Sequence, residues 1–237
     1  MLFLIFLQPM ITLEEKLKNP VWYSLKETHE KFSVNFDGVK FYNPEILTFG
    51  AFTDNSKTEM ATNDFINKSQ KFFFVSEKDN PIPKRSKVVL EKKIDGCQMV
   101  LNNLNEVEIT EDIIHLTERY LDEMYNLIWL VMPGYYQKKS FQLGNFYGIF
   151  KDNQLVAITG QRMQTHSFIE VSAVVTHPDY TKRGFARQLV SHTTKEILKK
   201  NKLPILHTNK ENPAIHLYKK LGFKVSRDMN WWLYVKK

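Results

Sequence analysis

In the stretch HPDYTKRGFARQLV, His177 to Val190, a proline is followed by two cations and one glycine, and then by an apolar-periodic run. A strand that ends at Pro178 and turns through residues 181–186 into a helix delivers several unpaired backbone N–H groups at the helix mouth. Those donors and the helix dipole favour an anion, most naturally a phosphate or pyrophosphate. Gly184 and Ala186 are small, so phosphates can approach the backbone closely, and Lys182, Arg183 and Arg187 add charge. As a bare pattern this is weak. One glycine is no Walker loop, GxxxxGK[ST] is absent, and a surface turn has the same composition.

The elements that must position this turn are read from periodicity. DIIHLT is a strand, and Thr117-Glu118 opens an amphipathic run whose Leu121, Met124, Tyr125, Ile128 and Val131 fall at helical spacing. FYGIFKDNQLVAITGQRMQ is two strands joined at Asp152-Asn153, which can supply a hairpin turn. FIEVSAVVTHP is a third strand, and Phe185, Leu189, Thr193 and Ile197 share one face of the next helix. PILHT is a strand, NPAIHLYKKLG a helix ended by Gly222, and FKVSRDMNWWLYV a final strand pair. Upstream, Thr12 to Leu25 holds helix formers broken at Asn19-Pro20, and KETHEKF reads as a short helix. Phe49 to Phe65 is turn-rich and polar, while KFFFVSE and KVVLEKKI are strands. Asp79 to Lys87, with two prolines, is a loop. LNNLNEVEIT connects to a second unit, giving an N-terminal α/β half over 1–108 and a mixed α/β domain over 109–237.

The motifs around this turn resemble those of the GNAT-type, acetyl-CoA-dependent N-acetyltransferases. That family's cofactor loop reads [Gln/Arg]-x-x-Gly-x-[Gly/Ala], met here by Gly184 and Ala186. Downstream, Ala214, Tyr218, Gly222 and Phe223 stand at the spacing of Asn-x-x-Ala-x-x-x-Tyr-x-x-x-Gly-Phe. MPGYYQKKSFQLGNFYGI, NQLVAITGQRM and IEVSAVVTHPDY extend the resemblance upstream, over roughly residues 111–237, and NPVWYSL and GCQMV resemble the N-terminal half of the same subgroup. There are departures: Thr181 and Lys182 stand where Gln or Arg and then Gly are usual, and Asn212 is two residues before Ala214 instead of three.

The resemblance implies an α/β (α+β) GNAT fold, a mixed, mostly antiparallel sheet flanked by helices. It implies direct acetyl transfer from acetyl-CoA to a primary amine in one ternary complex, with no metal. Val174, Val175 and Thr176 would pair with pantetheine, and amides of Lys182, Arg183, Gly184, Phe185, Ala186 and Arg187 would hold the pyrophosphate, with Asn212 near the cofactor. Tyr218 would be the general acid for the departing thiolate, or a tyrosine packing its helix on the sheet. Glu170 would be the general base acting through water, or a charged surface residue at a strand end. Tyr135-Tyr136 follow the first helix, where the acceptor site is often shaped, and at most one of Trp231-Trp232 can line that cleft.

Composition bounds the remaining classes. The chain is 43% hydrophobic and 13% aromatic, ample for a packed core. Its formal charge is +7, yet residues 182–237 hold 14 Lys/Arg against 3 Asp/Glu. An anionic partner, nucleic acid or a phosphorylated cofactor, or simply a solvated lysine-rich surface, accounts for that excess. A basic nucleic-acid-binding module lacks an aromatic-interleaved basic motif here; a non-catalytic acyl-CoA-binding protein is the other alternative. Cys97 is the one cysteine, so an intramolecular disulfide is impossible, and it reads as core. His177, His207 and His216 show no metal-ligand spacing. The apolar run Leu2 to Leu7 falls far short of the ~20 residues that span a bilayer and lacks the flanks of a signal peptide. It reads as a buried strand or as residues upstream of a start at Met10, in a cytoplasmic protein.

Overall fold

The aromatic and β-branched runs do form strands, but these are sorted into two sheets that exchange members. The computed structural model describes residues 11–77 and 86–237; the expected strand at Leu2–Leu7 and most of the expected loop at Asp79–Lys87 lie outside the described residues. The chain begins with α1 (Leu13–Lys18), reciprocally capped by Thr12 and Glu15, and α2 (Pro20–Lys26), which starts on its proline. Then come β1 (Ser33–Phe36), β2 (Val39–Tyr42), β3 (Phe49–Phe52), α3 (Thr58–Phe65), β4 (Lys71–Ser76), β5 (Val88–Ile94) and β6 (Gly96–Leu101). Beyond an irregular link follow β7 (Ile114–Leu116), α4 (Leu121–Val131), β8 (Phe146–Lys151), β9 (Gln154–Gln164) and β10 (Phe168–Thr176). The chain closes with α5 (Phe185–Leu198), β11 (Leu203–Asn209), α6 (Ala214–Lys220), β12 (Phe223–Asp228) and β13 (Asn230–Lys236).

One sheet runs β1-β2-β3-β4-β13-β5 and the other β12-β6-β11-β10-β9-β8-β7. Each holds a single parallel pair, β3 with β4 and β10 with β11, among antiparallel neighbours. The mixed, mostly antiparallel sheet flanked by helices is therefore as expected: α4 and α5 both pack on β9 and β10, within different apolar clusters. The hairpin at Asp152-Asn153 also forms, with φ of 51° and 61°. Two adjacent left-handed residues match the right-handed twist of the strands they join.

Two expectations are corrected. The segment from Phe49 to Phe65 holds a fully buried strand and a helix whose Ala61 and Phe65 are core; its polar residues are the solvent face of that helix. FKVSRDMNWWLYV is not a strand pair. β12 pairs with β6, while β13 inserts between β4 and β5 in the other sheet. β5 and β6 make the same passage on either side of Asp95, so two extended segments cross between the sheets side by side. Residues before and after position 109 thus build both sheets. A shared core joins Leu17, Leu25 and Phe73 to Met163, Ile205 and Trp231.

The crossing is tight at Gly96, whose carbonyl accepts from the Met229 amide at 3.0 Å. A Cβ there would stand 1.9 Å from a ring carbon of Trp231 and 2.6 Å from the Met229 carbonyl oxygen. Neither the backbone nor a Trp held between two strands can retreat far. Gly96→Ala is expected to lower unfolding stability by about 3 kcal/mol, read as a fall in denaturant midpoint at unchanged slope.

Candidate functional site

The site is built where β10 leaves β11. Their parallel pairing runs only from Phe168↔Leu203 to Glu170↔Ile205; beyond it the two strands diverge. On its other edge β10 pairs with β9, but Ser172 faces Gly160 and Val175 faces Ile158, so Ala173 and Val174 together oppose Thr159. Ala173 takes φ 49°, a conformation that costs a non-glycine residue energy and belongs to a bulge. The bulge breaks the strict alternation of strand faces between Ser172 and Val175. A cavity of about 800 Å³ fills the fork, lined by Ala173 and Val174 on β10, His207 and Thr208 on β11, Tyr218 on α6, and Trp231 on β13. Of the three pantetheine candidates Val174 lines this cavity, Val175 is buried in the core, and Thr176 is half-buried.

At the far end of β10 the chain turns through Pro178–Tyr180 into the mouth of α5. Gly184 occupies the N-cap with φ 82° and no side chain caps the helix. A Cβ on Gly184 would meet nothing within 4 Å, so the glycine serves the left-handed turn and leaves open space over it. Among the described residues, none accepts a hydrogen bond from the amides of residues 182–187. Lys182 is also left-handed, at φ 61°. Phe185 is buried beneath the turn, while Thr181, Lys182, Arg183 and Arg187 are exposed. Arg183 folds back instead, stacking 4.6 Å from the Tyr180 ring centroid and donating to the Asp179 carbonyl.

Tyr218 is buried at the base of the cavity among Met99, Val190 and Phe223. Burial pushes its phenol up to about 12, so the proton is held firmly at neutral pH. Asn212 also lines the cavity, but its side-chain oxygen accepts from the Ala214 amide and its nitrogen donates to Thr208 Oγ1. Its displacement by one residue is thereby explained: it ties the start of α6 to the end of β11. Tyr135 and Trp231 line the cavity, whereas Trp232 sits in the core on the opposite strand face.

Glu170 is neither the water-facing base nor the surface residue that its sequence position offered. Its side chain is fully buried at the last paired position of the fork. Arg162 donates to it from Nε at 2.8 Å and Nη2 at 2.6 Å, the Met163 amide at 3.2 Å, and His207 Nδ1 at 2.7 Å. Burial alone would raise the carboxyl, but Arg162 first and His207 second outweigh it and hold it down to about 2. Such a carboxylate takes no proton from an ammonium at neutral pH. His207 is not a substitute, because its side chain is buried and its Nε2 faces the Gln98 amide nitrogen at 3.0 Å. That nitrogen also donates to the Leu17 carbonyl, which fixes His207 as the Nδ1–H tautomer. Gln98, His207, Glu170 and Arg162 thus form a polar row across β6, β11, β10 and β9. The readable sign of it was an arginine inside the apolar run QLVAITGQRM.

Solved structures share this fold. A GNAT-family protein from Novosphingobium aromaticivorans superposes with a TM-score of 0.85 at 26% identity, over 93% of this chain and 98% of its own. A GCN5-related N-acetyltransferase-like protein from Streptococcus suis reaches 0.61 at 13% identity over 92% and 94%. A GCN5-related N-acetyltransferase from Kribbella flavida reaches 0.60 at 12% over 86% and 88%. In fold the chain is similar to these GNAT-type proteins. Within it, residues 146–233 match the model of the FR47-like protein family. No curated protein matches the sequence. Among the described residues no helix is long and apolar enough to cross a membrane, and no cluster of metal-ligating side chains occurs.

Removing the charge on Glu170 leaves the half-buried Arg162 without its partner. Glu170→Gln is expected to cost about 3–5 kcal/mol at pH 7. Because the folded carboxyl lies below its unfolded value, Glu170 stabilises fully above about pH 4.3 and loses that contribution as pH falls toward 2. The gap between wild type and variant should therefore narrow across that window in urea denaturation.

Proposed function

We propose that the chain transfers the acetyl group of acetyl-CoA to a primary amine, by direct attack in a ternary complex. The observation that carries this is the fork itself: an unpaired strand edge, interrupted by the Ala173 bulge, that leads to the uncapped amides of residues 182–187. Val174 and the open edge beside it pair with the pantetheine arm, and the amides of Lys182, Arg183, Gly184, Phe185, Ala186 and Arg187 take the pyrophosphate. The chemistry of this donor set fits a diphosphate, since every group is an N–H and the space over Gly184 is open.

The acceptor reaches the thioester from the side of the cavity lined by Tyr135 and Arg162. Its nitrogen bonds to the acetyl carbon as the carbon–sulfur bond breaks. Backbone N–H groups beside the bulge polarise the carbonyl. Tyr218, protonated at neutral pH, gives its proton to the departing sulfur and regains one from the acylated nitrogen through water, so the net products are an N-acetyl amine and free CoA. Glu170 has no part in that transfer; it fixes Arg162. Acyl-CoA use and the buried thiol of Cys97 both fit a cytoplasmic setting.

Acetyl-CoA at about a hundred times its Kd should stabilise the protein by about 3 kcal/mol, seen as a rise in thermal midpoint. Tyr218→Phe should retain that rise and lower kcat for thiol release by about a hundredfold. A silent thermal shift at millimolar acetyl-CoA would sink the reading, and undiminished turnover in the variant would remove Tyr218 from it.

A further inference from the structure

A second space adjoins the fork. Beside Ala173 lies a chamber of about 50 Å³, which shares Met132, Tyr135, Arg162, Ser172 and Ala173 with the main cavity. Two buried polar side chains, Gln161 and Tyr136, are set in its otherwise mostly apolar wall. Gln161 is 1% exposed and Tyr136 6%. Both ends of the Gln161 amide and the Tyr136 hydroxyl are buried without a hydrogen-bond partner among the described residues. Such groups are costly to leave unpaired in a folded protein, and native cores keep few of them. These three unpaired atoms belong to two side chains that line one small chamber, and a ligand seated there would supply the partners they lack.

The third wall is Arg162. Glu170 occupies its Nε and Nη2, and the guanidinium lies 4.9 Å from the Phe49 ring centroid. Its Nη1 makes no hydrogen bond among the described residues, and the side chain keeps 21% of its exposure. Two hydrogens on Nη1, one amide NH₂ and one phenol make a set richer in donors than in acceptors, which are the Gln161 oxygen and the phenol oxygen. A ligand rich in acceptors complements it, and a carboxylate meets a guanidinium in preference to a neutral carbonyl. The bidentate grip of Glu170, anchored in turn by His207, holds that guanidinium in place.

We propose that this chamber receives the carboxylate of the acceptor, so that the amine substrate is a free α-amino acid. This rests on the acetyl-transfer reading for the placement of the amine beside the Ala173 bulge. The α-carbon separates carboxylate from nitrogen by two bonds, and the chamber and cavity share Ser172 and Ala173 at that junction. The amine then stands on the cavity side, where the thioester is bound. Tyr136 and Gln161 select for the carboxylate, and the wide cavity beyond leaves room for a side chain.

The test titrates the CoA-saturated protein, by calorimetry, with a panel of common α-amino acids, each beside its own amide and its decarboxylated amine. At least one amino acid should bind about tenfold or more tightly than both of its analogues. Tyr136→Phe and Gln161→Met remove unpaired buried groups, so both should fold with thermal midpoints at or above that of wild type. Each should weaken the amino acid by about tenfold and leave its decarboxylated amine within about twofold. If no amino acid binds more tightly than its amide and its amine, or if both variants bind it as wild type does, the carboxylate site is wrong. Turnover of plain amines in that case would leave acetyl transfer standing. If CoA itself does not bind, acetyl transfer fails, and the same titration of the unliganded protein still decides the chamber.

Discussion

A fully buried carboxylate, Glu170, stands at the point where two parallel strands separate, and the rest of the site depends on how it is held. Burying an isolated charge costs several kcal/mol or more. The chain offsets this with four N–H donors from two strands: two on the Arg162 guanidinium and the Met163 amide from β9, and His207 from β11. Those donors exist only in one register. Arg162 reaches Glu170 because β9 carries an extra residue opposite it, and His207 reaches it because β11 remains paired with β6 after leaving β10. The buried charge therefore fixes where the fork begins. The cavity begins there too.

This arrangement separates rigidity from openness. Below the fork, the row from Gln98 to Arg162 is closed by hydrogen bonds and by the Leu17 carbonyl of α1. Above it, β10 presents a bulge and a free edge, and its amides continue into a turn without a cap. A site that pairs a ligand through backbone groups needs an edge that no neighbouring strand can reach. The polar row supplies the strut that keeps β11 from closing that gap, while Trp231, lying against His207 at 5.9 Å between ring centroids, packs the first sheet against it.

The parts legible in the sequence were the local ones. Pro178, Gly184 and the periodic run after them define a strand–turn–helix through contacts a few residues apart, and that turn formed with Gly184 left-handed as its position required. Asp152-Asn153 was readable for the same reason. The exchange of β6 and β13 was not, because a strand's residue pattern gives its faces but not its partner. WWLYV alternates equally well beside β12 or between β4 and β5. The role of Glu170 was hidden for a related reason. One acidic residue in an apolar strand can be a base or a strut, and the distinction lies in Arg162 and His207, which are 8 and 37 residues away in sequence.

The crossing of β13 has a consequence for how the molecule is made. This strand is internal to the first sheet, lying between β4 and β5, yet it is drawn from the residues after Met229. During synthesis from the N-terminus, β4 and β5 therefore stand with facing edges open, Phe72 to Phe74 among them, while all of the second sheet is being translated. The first half cannot mature ahead of the second, and the second lacks β6 unless the first has delivered it. Closure of the two sheets is one late event, and until then an aromatic edge is available to any other strand that meets it.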